Sequence, residues 1–143
     1  MIILRYIHCY WLIIYLSITE GVWRIPKLTI APNHHINLVS QYYNNHITII
    51  NSNLYLEIFY HEWRHHYQSV KSTCNFHNYD EGRYGKYKAL FRKVREHKLL
   101  AHHHSKLHRM FISEFLFEKD AIEYQIRKCP DGELTMYFKS LMN

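Results

Sequence analysis

An α+β domain, one small β-sheet packed against helices, is the fold class that the sequence predicts, and three observations predict it. His46-Ile47-Thr48-Ile49-Ile50 is β-branched and apolar, the composition of a strand. Asn51-Ser52-Asn53 follows at once, three good N-cap residues, and from Leu54 to about Val70 there is no Gly or Pro, so a helix starts there. Farther on, Lys86 to Cys129 is again free of Gly and Pro, a length that suits two helices better than one. With 143 residues, 48% of them hydrophobic and 21% charged, the chain fits a single domain, 1–143, large enough for a core.

In chain order, Met1 to Ile18 is largely apolar. Arg5 and His8 interrupt it, and the unbroken apolar run from Cys9 to Leu16 is far short of the roughly 20 residues that span a bilayer. No small-x-small cleavage site follows. Residues 1–20 are therefore read as a buried first element, with a signal or anchor as the alternative, and a membrane is not an expected partner. Gly21 to Ile30 alternates apolar and polar residues around Pro26, as an edge strand or an extended segment would. Pro32-Asn33-His34-His35 reads as a turn, and Ile36 to Asn45 as a short polar and aromatic segment. Lys71 to Gly85 reads as a loop, Lys86 to Met110 as a basic helix, and Ile112 to Lys128 as an acidic one. Pro130-Asp131-Gly132 is a turn, after which Glu133 to Asn143 forms a short helix or a last strand.

The formal charge of +6 favours acidic partners only weakly. Three widely spaced cysteines, Cys9, Cys74 and Cys129, form no CxxC pair, which argues against a disulfide framework or a cysteine zinc site and for a reducing, cytoplasmic compartment.

The chemistry concentrates in Phe59-Tyr60-His61-Glu62-Trp63-Arg64-His65-His66-Tyr67-Gln68, which contains H-E-x-x-H. On a helix, residues i and i+4 share a face, so His61 and His65 can bind one zinc ion while Glu62, the general base, is turned toward its open position. In a chain with 13 His the pattern arises by chance about 0.07 times, so its context has to support it. Leu54, Ile58, His61, His65 and Gln68 form one stripe at helical spacing, which turns both imidazoles inward. A catalytic zinc site needs a third protein ligand. Glu118, in the helical and apolar-flanked FEKDAIEY about fifty residues after His65, is preferred over Glu114 and Glu123. Gln68, one turn beyond His65, is a candidate hydrogen-bond partner for a ligand. Tyr124 is one of several groups that could stabilise an oxyanion. His66 points about 100° away from His65 and is expected on the surface. The same expectation holds for His34, His35 and His102 to His104.

HEWRHHYQ followed by Glu118-Lys119-Asp120-Ala121 resembles the gluzincin-type metallopeptidases, in particular the small single-domain HExRHxxQ proteins of bacteria and phages. The resemblance covers roughly Ile47 to Ile126. It implies a minimal zincin-like domain in which a strand precedes the motif helix and a glutamate on a second helix completes the site. His61, His65 and Glu118 would then be zinc ligands, Glu62 the general base of peptide hydrolysis, and Asp120 or Arg64 supporting residues. Many such proteins have E-x-x-A-D at this point, and Ile122 stands where their aspartate would be. Asp120 is the expected substitute. By the same analogy His46 to Ile50, if it is a sheet edge, could pair with an extended peptide substrate.

Two other readings stay open. The basic stretch Arg83 to Arg109 with Tyr84, Tyr87 and Phe91 could bind nucleic acid, although its charges spread round the helix and it contains no known nucleic-acid motif. A zinc ion could also act only as a staple in an inactive domain. Substrate identity and oligomeric state are not readable from the residues.

Overall fold

The computed structural model describes residues 2–32, 40–71 and 116–142, without the side chains of residues 41, 116–119, 141 and 142. The expected turn at 32–35, the loop and basic helix between 72 and 110, His102 to His104 and Glu114 lie outside the described residues.

The chain is mixed α+β. Among the described residues the elements run α1 (Ile2–Glu20), β1 (Lys27–Ala31), β2 (Gln41–Tyr43), β3 (His46–Ile50), α2 (Tyr55–Val70), α3 (Leu116–Lys128) and α4 (Glu133–Met142). The three strands form a sheet in the order β1-β3-β2, with β1 parallel and β2 antiparallel to β3. Strand period decides which residues it buries: Ile47 and Ile49 of β3, level with Leu28 and Ile30 of β1, face the core. Thr29 and His46 meet on the opposite face, at 2.7 Å.

Among the described residues β1 is an edge strand, entered from Pro26, as the alternating pattern suggests. β2 was not anticipated, and it corrects a second expectation. It pairs with the far side of β3, so the strand before the motif helix is central, with both sides occupied, and cannot take an extended peptide. A two-residue turn makes the β2–β3 hairpin, with Tyr43 opposite His46 and Asn44 and Asn45 at φ 48° and 64°. Asparagine tolerates the left-handed region that such a tight turn demands.

α1 has two unlike faces. Cys9, Leu12, Ile13 and Leu16 are buried in the core, whereas the opposite side leaves large apolar residues exposed. By length and composition alone α1 is apolar enough to cross a bilayer, a test that the core helix of a soluble protein also passes, and 28% of its most apolar window is buried against the protein. It ends at Gly21, φ 66°, where the Val22 amide donates back to the Ser17 carbonyl at 2.9 Å and Lys71 Nζ donates to the Gly21 carbonyl at 2.8 Å. This is a Schellman-type stop that a residue with a Cβ would strain.

α2 is the central helix, packed between the sheet and α3, with Phe59 and Trp63 fully buried. Its start differs from the expected asparagine cap: Leu54 occupies the cap position without a side-chain bond. Asn51 and Asn53 instead accept from Arg5 of α1, at 2.6 and 3.1 Å. Charged donors outbid the local cap and tie α1 to the helix entrance.

Glu20 ties α1, α2 and α3 together. Its carboxylate accepts from the Trp63 indole of α2 at 3.0 Å and from the Tyr124 hydroxyl of α3 at 2.6 Å. The last segment is a helix, α4, whose first turn is capped from a distance: the buried Glu57 carboxylate accepts from the amides of Leu134 (3.4 Å) and Thr135 (3.1 Å). An anion at helix-start amides, which have no partner within the helix, is doubly favoured, by hydrogen bonds and by the dipole. Gly132 gives it room, because a Cβ there would stand 1.9 Å from Glu57 Oε1.

Candidate metal centre

His61 and His65 lie one turn apart on α2, and their Nε2 atoms face each other at 3.3 Å. Two nitrogens that each bind a tetrahedral zinc at 2.0–2.1 Å stand about 3.3 Å apart, so the pair has the bite of a zinc chelate. His65 is 5% exposed and Glu62, beside His61, is 6% exposed. Burial on a packed helix holds Glu62 and His65 in one orientation, and His61 beside them is half-buried.

The other nitrogen of each ring meets a glutamine. His65 Nδ1 lies 2.9 Å from Gln68 Oε1, and Gln68 Nε2 donates to Asp120 Oδ2 at 2.8 Å. A carboxylate only accepts, which fixes the amide: its NH₂ faces Asp120, its oxygen faces His65, and His65 must donate through Nδ1–H. The tautomer that turns the Nε2 lone pair outward as a potential ligand is thereby selected from α3. Burial pushes the Asp120 carboxyl up, but hydrogen bonds from Arg64 and Gln68 and the guanidinium charge outweigh it and hold it below the usual carboxylate range. Arg64 makes the ion pair through Nε at 2.8 Å, with its second nitrogen at 3.4 Å.

His61 Nδ1 lies 3.1 Å from Gln125 Oε1. Gln125 is 1% exposed, and its Nε2 is buried with no hydrogen-bond partner among the described residues. The 3.3 Å between the two Nε2 atoms suits an N–H···N hydrogen bond with the proton on His61 Nε2, or, with Nδ1–H on both rings, a cation shared by the two nitrogens.

Several expected roles move. Asp120 does not stand in directly for the aspartate that Ile122 replaces. It acts on His65 through Gln68, while the partner of His61 is Gln125, one turn beyond Ile122. Ile122 itself is fully buried against Phe138 of α4. Sequence reasoning passed over Gln125; the available signal was its position in the row Ala121, Ile122, Gln125, all buried on one face of α3. Tyr124 does not offer a free phenol. Its hydroxyl is buried and committed to Glu20, and burial, reinforced by that carboxylate, drives its pKa upward. Nor is His66 a surface residue: it is 0% exposed, its Nε2–H donates to the Arg24 carbonyl at 2.6 Å and its Nδ1 accepts from Tyr42 at 3.2 Å.

Among the described residues, no group of three His, Cys, Asp or Glu is placed to hold a metal ion. Glu118 lies in the first turn of α3 with its side chain outside the described set, as is Glu114 entirely. Glu123, the other alternative, is half-buried. Two nitrogen donors with oriented rings and an adjacent buried carboxylate fit a zinc centre as far as they go. Searches of protein-family models, curated proteins and solved structures give no match to this chain.

Proposed function

We propose that the chain is a zinc-dependent hydrolase of peptide bonds built on a minimal zincin-like domain of the cytoplasm. The observation that carries the reading is the facing pair of Nε2 atoms at 3.3 Å, each ring backed by a glutamine, with Glu62 buried alongside. His61 and His65 are the first two ligands. Glu118 is the third, supported by helical register alone: it falls two turns before Gln125 on the same row of α3. A zinc ion held there would lower the pKa of water from 15.7 to about 7 and polarise a carbonyl. Glu62 takes the proton of the attacking water and passes it to the leaving amine. Asp120 and Arg64, through Gln68, keep His65 in the coordinating tautomer.

The test is Glu62→Gln. Both proteins should bind one zinc, measured by elemental analysis after dialysis, and only the wild type should cleave an unfolded protein such as casein. Equal zinc with no cleavage specific to wild type would leave a zinc-stapled domain without this activity, and no zinc in either would remove the reading altogether. The nucleic-acid alternative rests on residues outside the described set and gains no observation from the structure.

A further inference from the structure

We propose that the outer face of α1 docks flat on a lipid surface with anionic headgroups. Leu4, Ile7, Trp11, Ile14 and Ile18 run down the middle of this face, with Ile3 and Tyr10 on one border and Tyr15 on the other. Each is between 43% and 69% exposed. At about 100° per residue the eight positions cover an arc of about 140°, and none is charged. A two-helix seam uses a narrower stripe with charged residues at its borders. A broad face bordered by isoleucine and tyrosine suits an apolar medium better than a second copy of the helix.

The two charges of α1 are turned to the protein, Arg5 on Asn51 and Asn53 and Glu20 on Trp63 and Tyr124. Cys9, Leu12, Ile13 and Leu16 belong to the core, so the folded chain presents one side of α1 to lipid and the helix lies in the interface plane. Trp and Tyr favour the headgroup level. Directly after the helix, Trp23, Arg24, Ile25 and Lys27 are all exposed, cations interleaved with apolar side chains. Arg24 and Lys27 complement an anionic leaflet. Nothing in this inference depends on zinc or on hydrolysis.

The test uses the full chain and sucrose-loaded vesicles of phosphatidylcholine, with and without phosphatidylserine. Wild type should pellet with the phosphatidylserine vesicles, less so at high salt, and an alkaline carbonate wash should release it. The double substitution Ile7→Gln with Ile14→Gln, at exposed positions, should keep the wild-type melting temperature and bind at least about tenfold more weakly. Arg24→Gln and Lys27→Gln should each weaken binding to the anionic vesicles by about fivefold. Quenching of wild-type tryptophan fluorescence by brominated lipid, expected from Trp11 and Trp23, gives a readout that needs no variant. Wild type left in the supernatant with both vesicle types, or bound without quenching, overturns the proposal. Binding that survives carbonate would mean a spanning helix and overturns it too. A dimer that the double substitution turns into a monomer, without vesicle binding, would give this face to a second copy.

Discussion

Gln68 donates to Asp120 at 2.8 Å, and this one bond fixes which nitrogen of a neighbouring imidazole carries its proton. Asp120→Asn removes the obligate acceptor, releases the Gln68 amide to turn over and weakens the Arg64 pair. Zinc affinity, measured by competition with a chromophoric chelator, should fall by about 10- to 100-fold, the usual cost of losing such a supporting contact. An affinity within about twofold of wild type would mean that Gln68 orients His65 without help from α3.

Glu118→Ala should abolish stoichiometric zinc binding and Glu114→Ala should not. Elemental analysis of the purified variants distinguishes them. Equal retention in both would move the third ligand elsewhere, and Glu123→Ala is then the next substitution to measure.

Gly132→Ala should destabilise the fold by about 2–4 kcal/mol, because the new methyl evicts the Glu57 carboxylate and leaves buried amides of α4 without an acceptor. Urea denaturation reads the loss. In a Glu57→Ala background the same substitution should cost much less, since the obstructed group is gone. Equal costs in both backgrounds would show that the glycine is needed for backbone conformation instead.

His66 is buried neutral, and desolvation lowers its pKa against the opposing pull of the Arg24 carbonyl. Its folded-state pKa therefore lies below the unfolded value of about 6.5. Between those two values the unfolded chain binds more protons, so stability declines as the pH falls from about 6.5 and levels off below the folded pKa. His66→Gln, which can still donate to Arg24, should be less stable at neutral pH and show a flatter decline on acidification. Parallel urea midpoints for the two proteins across this range would assign the decline to other histidines.

What was legible in the sequence was local. The β-branched run of β3, the uninterrupted stretch of α2 and the i, i+4 placement of His61 and His65 each depend on residues a few positions apart, and each is where the residues suggested. β2 escaped notice because three residues make too short a pattern, although Asn44-Asn45 marked its hairpin. His66 was misjudged because its burial depends on Arg24 and Tyr42, 42 and 24 residues away. The partnership of Gln125 with His61, 64 residues apart, has the same origin: it exists only once α3 lies along α2.

The Glu20 carboxylate, holding Trp63 and Tyr124, makes the opening helix part of the same cooperative unit as the motif. A protein produced from Gly21 onward would strand an indole N–H and a phenol in the interior and strip the cover from the inner strands. For anyone preparing this protein, trimming the apolar first helix to gain solubility would therefore sacrifice the fold.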